Sequence, residues 1–296
     1  MTEQLAQSIG SAGIDIAYET FGDPAHPPVL LIMGIASQMI HWPLGLIEEL
    51  CARDLYVIRF DNRDSGLSTH FHDAPVPNLP AALQGDLSSA SYTLSDMASD
   101  CIALLDHLQI QQAHIVGASM GGFIAQTVAI EYSERVLSLT SMMSSTGAML
   151  VGQADPEVWT IIGAMVPTNR EEVIEQALLA FDIVGSPGYE RDEAAIRDRA
   201  GLAYDRCYDP VGVMRQSVAV IASGDRTAAL AKLSLPTLVI HGEADRMCNI
   251  SGGQATADAV PGACFHRIPG MGHDMPRALW PEFAAQIAGL VHKLSA

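Results

Sequence analysis

Basic residues are scarce in this sequence. It contains 16 lysines and arginines against 34 aspartates and glutamates, which gives a formal net charge of −18 at pH 7. Such a chain lacks the cationic surface that binds nucleic acid, and an anionic membrane surface would repel it. We therefore expect neither nucleic acid nor a membrane among its partners, and the acidity itself indicates a well-solvated surface.

Patterns that bind metals or cofactors are missing as well. The five cysteines, an odd number, are widely spaced and include no CxxC pair, which argues against a disulfide framework and a zinc site. They are Cys51, Cys101, Cys207, Cys248 and Cys264. The patterns HxxxH, HExxH and GxGxxG are absent, and no glycine-rich loop is followed by lysine and serine or threonine. The sequence therefore predicts no metal and no cofactor.

Segments that direct or anchor a protein are not found either. The N-terminus has no basic stretch followed by an apolar one, and no run of 18 apolar residues would span a membrane. We expect a cytoplasmic protein with reduced thiols. With 296 residues, 49% of them hydrophobic, the chain is long enough for one large core with an insertion. The sequence does not distinguish a monomer from a homodimer.

Short β-rich runs alternate with helical periodicity along most of the chain, as in a mostly parallel sheet with crossover helices. Strands are predicted at residues 14–21, 29–33, 55–60, 114–117, 136–143, 236–241 and 264–268. Helices are predicted at residues 42–52, 95–108, 120–131 and 281–294. The pattern thus indicates a doubly wound α/β fold, with the first strand at the sheet edge, Ser95 as a helix N-cap and residues 68–92 as a surface loop.

The alternation of strands and helices stops between residues 148 and 225. Helical patterns separated by proline and glycine occupy this part, at residues 156–165, 170–181, 192–204 and 210–222. We interpret it as a helical cap that covers the carboxyl edge of the sheet. The predicted core then consists of residues 1–147 and 226–296.

The motif Gly-Ala-Ser-Met-Gly at 117–121 carries the strongest chemical signal. A buried strand precedes it and a helix follows it, which is the context in which G-x-S-x-G forms a nucleophile elbow. Small neighbours allow the strained turn that lifts the Ser119 hydroxyl to the helix N-terminus, where negative charge is favoured. The alternative is a glycine-rich turn with an incidental serine.

A serine nucleophile needs a base and a residue that orients the base. Asp245 follows the strand at 236–241, and His273 follows the strand at 264–268 on a glycine-containing loop. This order, serine then acid then histidine, is the one expected in such a fold. The alternatives are a helix-capping Asp245, a structural or surface His273, and Glu243 as the acid. The remaining histidines lack a partner pattern, although His70 and His72 lie in the loop after Ser68, within reach of the pocket mouth. His241 and His266 are interpreted as strand residues.

The tetrahedral intermediate of acyl transfer requires two backbone N–H donors. We expect them at Met120, directly after the nucleophile, and at Ile35, after the strand at 29–33, where Gly34 allows a close turn. An adaptable, methionine-rich pocket wall is expected around them. Its candidate residues, each equally interpretable as ordinary core, are Gly34, Met39, Trp42, Met142, Met143, Trp159 and Met165. The polar loop at 61–68 is interpreted as a structural brace.

These motifs together resemble those of the α/β-hydrolase superfamily over nearly the whole chain. The motifs are VGASMGG at 116–122, PTLVIHGEAD at 236–245, IPGMGH at 268–273 and FDNRDSGLS at 60–68. Two features, methionine before Gly34 and Asn-Arg-Asp in the last motif, resemble the group around aclacinomycin methylesterase. That resemblance implies Ser119, Asp245 and His273 as a triad and Ile35 and Met120 as oxyanion donors. It also fits a helical cap, but it does not specify the substrate.

The most direct hypothesis is a serine esterase that acts on a small to medium, largely apolar ester and forms an acyl-enzyme. A cofactor-free haloperoxidase or perhydrolase, a carbon–carbon bond hydrolase, a small peptidase and an acyltransferase use the same triad and stay open. A receptor-like protein with an inactive site is the alternative that is not an enzyme. The presence of all three triad motifs argues against it.

Overall fold

A computed structural model describes residues 3–163 and 167–293, without the side chains at positions 159, 162 and 163. Within these residues the chain forms one sheet of eight strands in the order β1-β2-β4-β3-β5-β6-β7-β8. The strands are β1 Gln4–Ile9, β2 Ile14–Phe21, β3 Pro28–Ile32, β4 Tyr56–Phe60, β5 Ala113–Ala118, β6 Val136–Met142, β7 Thr237–Gly242 and β8 Cys264–Ile268. All neighbours from β4 to β8 are parallel, so the predicted fold class is confirmed.

Helices cover both faces of this sheet. They are α1 Leu44–Cys51, α2 Leu79–Leu83, α3 Leu94–His107, α4 Met120–Glu131, α5 Pro156–Gly163, α6 Arg170–Val184, α7 Glu193–Arg206, α8 Pro210–Ser223, α9 Thr227–Leu230, α10 Ser251–Ala259 and α11 Trp280–His292. The sheet separates two hydrophobic cores, one on each face, and successive residues of β3 point alternately into them. Leu30 and Ile32 pack in the core with α3 and α4, whereas Val29 and Leu31 pack in the core with α1 and α11. A strand buried on both faces is therefore continuously apolar.

Two predicted details are wrong. The strand Ile14–Phe21 is not the edge of the sheet, because β1 pairs outside it in antiparallel register. In β1 only Ala6 is fully buried, so the polar sequence carried little strand signal. The N-cap of α3 is Thr93 and not Ser95, since Thr93 and Asp96 form a reciprocal capping box, with Thr93 N–H donating to Asp96 Oδ2 at 2.8 Å. The predicted surface loop at 68–92 also contains the short helix α2.

The four helices α5–α8 lie between β6 and β7, where the alternation of strands and helices stops. Buried ion pairs connect them to the core. Arg215 on α8 donates to both carboxylate oxygens of Asp64, at 2.9 and 3.0 Å, and Arg206 on α7 donates to Asp61 Oδ2 at 2.8 Å. Asp61 and Asp64 belong to the polar loop at 61–68, and their contacts agree with its interpretation as a brace. That residues 148–225 act as a cap domain stays a prediction.

No helix in the described part of the chain combines the length and the apolar character needed to cross a membrane.

A buried histidine in the sheet should make stability depend on pH. His114 on β5 is 2% exposed, and its Nδ1 lies 2.8 Å from the Ser138 hydroxyl. Burial, together with the nearby His292, lowers the pKa of His114 to about 4, from an ordinary value near 6.5. Below pH 6.5 the unfolded chain therefore binds a proton that the folded chain does not bind until about pH 4, so stability falls as pH falls through this window.

We expect His114→Asn to reduce this pH dependence. Between pH 7 and pH 4, the wild-type free energy of unfolding should fall by roughly 3 kcal/mol more than that of the variant, because the variant has no such proton to bind. Urea unfolding at both pH values, followed by circular dichroism, measures the difference. Equal losses in the two proteins would contradict the assignment.

Candidate active site

Ser119 occupies a strained turn between β5 and α4. Its φ of 56° lies in the left-handed region, which a residue with a side chain rarely adopts. Two glycines make the turn possible. A Cβ atom on Gly121 would lie 2.0 Å from the Ile32 carbonyl oxygen, and one on Gly117 would lie 2.0 Å from the Gly121 carbonyl oxygen. The elbow thus packs directly against β3, and any larger residue at 117 or 121 would displace backbone.

The structure brings the three predicted triad residues together. His273 Nε2 lies 3.0 Å from Ser119 Oγ, and His273 Nδ1 lies 2.7 Å from Asp245 Oδ2. Their loops follow β5, β7 and β8, whose carboxyl ends meet at one edge of the parallel sheet. The serine lies beside β3, where the strand order reverses and ligands of open α/β sheets commonly bind. With the ring proton on Nδ1, this nitrogen donates to the Asp245 carboxylate and Nε2 accepts a hydrogen bond from the Ser119 hydroxyl.

Asp245 is held as an anion. Burial alone would raise its pKa, but the His273 imidazole and hydrogen bonds from His241, His273 and the Cys248 N–H outweigh burial and lower the pKa to about 2. Its other oxygen, Oδ1, accepts from the Met247 N–H at 2.9 Å and the Cys248 N–H at 2.8 Å. The carboxylate is therefore ionised at neutral pH and fixed in orientation.

His241 lies next to Asp245, and the sequence analysis did not predict this contact. It lies on β7, as predicted, but its Nε2 is 2.7 Å from the Cys248 carbonyl oxygen and 3.4 Å from Asp245 Oδ2. Its Nδ1 is buried and has no hydrogen-bond partner among the described residues. The sequence signal for this contact is the four-residue spacing between His241, near the end of a strand, and Asp245.

The loop after β3 lies directly against the nucleophile. A Cβ atom on Gly34 would come within 3.0 Å of Ser119 Cβ and 3.4 Å of its Oγ. The loop is fixed by Asn62, whose amide donates to the Met33 carbonyl at 2.9 Å. On its other side the Ala36 N–H donates to Gln216 Oε1 on α8 at 3.3 Å.

The two predicted oxyanion donors border this site. Met120 is the first residue of α4 and follows Ser119 directly, and Ile35 follows Gly34. Within the described residues, neither backbone N–H has a hydrogen-bond partner. That these two groups bind an oxyanion beside the Ser119 hydroxyl stays a prediction.

The expected pocket residues are distributed unevenly. Gly34 adjoins Ser119, whereas Trp42, Met142 and Met143 are buried in the core with α1 and α11. Met39 is also fully buried, and its N–H donates to Asp61 Oδ1 at 2.6 Å. Met165 and the side chain of Trp159 lie outside the described residues. A role of any of these residues as a pocket wall stays a prediction.

Residues 184–189, which are the last residue of α6 and the start of the loop to α7, form hydrogen bonds to the loop that carries His273. We call this segment the strap. The His273 N–H donates to the Val184 carbonyl at 2.7 Å, and the Gly188 N–H donates to the Gly270 carbonyl at 2.9 Å. Ser186 Oγ accepts from the Gly272 N–H at 2.8 Å and donates to Asp274 Oδ1. No local sequence pattern predicted these contacts, because they join segments about 85 residues apart.

We expect Ser186→Ala to lower kcat by roughly 10- to 100-fold with little change in KM, because small displacements of a catalytic base are costly in rate. The Gly272 N–H would lose its acceptor and Asp274 would lose its donor, on both sides of His273. Ser186→Thr keeps the hydroxyl and should restore most of the rate. Steady-state kinetics on one ester would test this, and an unchanged kcat in Ser186→Ala would refute it.

Comparisons with known proteins identify the family and the fold of this chain. A family model described as alpha/beta hydrolase fold matches residues 27–276. The chain is 30% identical to rhodomycin D methylesterase of Streptomyces sp. strain C5, covering 91% of this chain and 92% of that protein. It is 27% identical to 3-oxoadipate enol-lactonase 2 of Acinetobacter baylyi, covering 83% and 82%. A solved thermophilic esterase from Thermogutta terrifontis has a TM-score of 0.73 at 23% identity over 100% of both chains, which shows likeness of fold alone.

Proposed function

The chain belongs to the alpha/beta hydrolase fold family, and from this premise we propose that it is a serine carboxylesterase. The relatives confirm the resemblance to the methylesterase group that the sequence motifs indicated. In the proposal, Ser119 is the nucleophile, His273 the general base and Asp245 the residue that orients the base. The observation that carries it is the pair of hydrogen bonds from Ser119 through His273 to the buried Asp245 carboxylate.

Acylation follows from this geometry. His273 Nε2 takes the proton of Ser119 as Oγ attacks the ester carbonyl, and the carbonyl oxygen becomes an oxyanion. The N–H groups of Met120 and Ile35 bind this oxyanion, at a helix N-terminus that also favours negative charge. His273 then donates its proton to the departing alcohol, which leaves an acyl group on Ser119.

Deacylation repeats the same steps with water. His273 Nε2 removes a proton from the water molecule, and the hydroxide attacks the acyl carbon. The acid product leaves when the proton returns to Ser119 Oγ. Throughout both steps Asp245 stays ionised, in line with its pKa of about 2, and keeps the second proton of the imidazole on Nδ1.

The substrate in this proposal is a small-molecule ester, with a methyl ester of a largely apolar acid as the first choice. The support comes from two relatives, each 30% identical to this chain, which are rhodomycin D methylesterases. In this proposal residues 148–225, with helices α5–α8, are the cap. They contact the loop beside Ser119 through Gln216 and the loop of His273 through the strap at 184–189. Differences in these helices would then set which ester is accepted.

A panel of esters tests the proposal. We expect turnover of p-nitrophenyl esters from acetate to dodecanoate, with an optimum length that measures the pocket, and release of methanol from methyl esters of aromatic acids. A fluorophosphonate should label Ser119, as identified by mass spectrometry of the labelled peptide. Labelling without turnover of any ester would favour a carbon–carbon hydrolase, a perhydrolase or a peptidase over an esterase. If the protein showed no labelling and no turnover, the result would contradict an active serine site.

A further inference from the structure

Two imidazoles and a carboxylate converge outside the triad, where the loop after β4 meets the start of α8. The three residues are His70, His72 and Asp209, and one possible ligand atom of each lies within 4.8 Å of the others. The side chains of His70 and Asp209 are only 11% and 10% exposed. The rings of His70 and His72 are stacked, with their centroids 5.4 Å apart.

Both ring nitrogens of His70 face oxygen acceptors. Nε2 lies 3.0 Å from the Gly66 carbonyl oxygen, and Nδ1 lies 2.7 Å from Asp209 Oδ2. A neutral imidazole carries only one N–H, which donates either from Nδ1 to Asp209 or from Nε2 to the Gly66 carbonyl. In the second tautomer the lone pair on Nδ1 faces Asp209 Oδ2. A metal cation bound there would replace this direct contact and join Nδ1 to Oδ2.

The surroundings favour a metal cation. An imidazole that donates its second N–H to a backbone carbonyl has the arrangement typical of metal-bound histidines. Asp209 Oδ1 accepts from the Gly212 N–H at 2.8 Å as the N-cap of α8, so Oδ2, which faces His70 Nδ1, is the oxygen that would bind an ion. A metal ion at this point would also use the lone pair of His72, whose nearest ring nitrogen belongs to the same cluster of ligand atoms.

We propose that His70, His72 and Asp209 form a binding site for a divalent transition metal ion such as Zn²⁺, Co²⁺ or Ni²⁺. Two imidazole nitrogens and one carboxylate oxygen suit this class of ion, and water completes the coordination. The ion would join the core loop at 66–72 to the N-terminus of α8, so its role is to fix the insertion on the core. This site is independent of the esterase chemistry.

One neighbouring cation opposes metal binding. Arg215 Nη2 lies 3.4 Å from Asp209 Oδ2. The same guanidinium, however, donates to both oxygens of the buried Asp64 carboxylate at 2.9 and 3.0 Å. Asp64 therefore compensates the charge of Arg215, and Asp209 keeps its negative charge for the ion.

The test uses the full chain, stripped of metal with a chelator and titrated with Zn²⁺ in a calorimeter. We expect binding at one site per chain and a higher thermal unfolding midpoint with Zn²⁺. His72→Asn alters an exposed side chain and should weaken binding by at least about 10-fold, as should Asp209→Asn, which keeps a helix-capping side chain. The matched control is His266→Asn, because His266 forms an exposed pair with Glu282 at 2.6 Å.

Cysteine thiols are the other ligands that Zn²⁺ would find, and Cys207 Sγ lies 3.5 Å from His70 Nε2. Repeating the titration in Cys207→Ser separates this sulfur from the proposed set, and binding should persist. No binding to the wild type would overturn the proposal. Binding that survives His72→Asn unchanged, or that disappears equally in His266→Asn, would overturn it as well. Should Asp209→Asn fail to fold, the exposed His72 still decides the outcome.

Discussion

Ser119→Ala should reduce kcat for ester hydrolysis by about 10⁶-fold, to the level of the other active-site groups acting without a nucleophile. The hydroxyl is the group that His273 Nε2 meets at 3.0 Å, and no other side chain of the proposed mechanism forms the acyl bond. Alanine at this position has the same backbone strain as serine, because each carries one Cβ at a φ of 56°. The fold and the thermal midpoint should thus remain close to wild type.

Ser144→Ala is the matched control for this variant. Ser144 also lies at the carboxyl edge of the sheet, just after β6, and its buried hydroxyl has no hydrogen-bond partner among the described residues. Its removal should leave kcat within a few-fold of wild type. The measurement is kcat on one p-nitrophenyl ester with each purified variant, beside the fraction labelled by a fluorophosphonate. Ester hydrolysis by Ser119→Ala within tenfold of wild type would remove Ser119 from the mechanism.

The parts of the site that the sequence predicted are those encoded by local pattern. Ser119 lies between two glycines at a strand-to-helix turn, and Asp245 and His273 each follow a predicted strand by a few residues. Because parallel strands end at one edge of the sheet, three such motifs are expected to converge there without any knowledge of their contacts. The helix after the serine was predicted with its observed bounds, Met120–Glu131.

The parts that were missed depend on partners distant in the chain. Strand β1 is polar on most positions, so only its pairing with β2 identifies it. The brace from Arg215 to Asp64 spans 151 residues, and the pairing of His70 with Asp209 spans 139. Ser186 likewise acquires its contacts from the loop around His273. No periodicity within a window of the sequence encodes which distant polar side chains meet.

Asp245→Asn should lower kcat by about 10⁴-fold, the loss seen for such an exchange in other Ser-His-Asp triads. In the wild type, Asp245 Oδ1 accepts from two backbone N–H groups, and Oδ2 accepts from His273 Nδ1. An asparagine can keep the two backbone bonds only if its amide nitrogen faces His273. That nitrogen donates, so Nδ1 must become the acceptor and the ring proton must move to Nε2. Protonated Nε2 faces the Ser119 hydroxyl and is unable to accept its proton.

Glu243→Gln is the matched control, since it makes the same chemical change two residues away. Glu243 is exposed, and its recorded contact is a backbone hydrogen bond from its N–H to the Ile268 carbonyl at 3.0 Å. Its exchange should leave kcat near the wild-type value on the same p-nitrophenyl ester. A large loss in Glu243→Gln together with a small loss in Asp245→Asn would make Glu243 the orienting acid. Large losses in both would mean that charge in this loop, and not the tautomer of His273, limits the rate. Only a loss confined to position 245 follows from a carboxylate that acts by holding one proton on Nδ1.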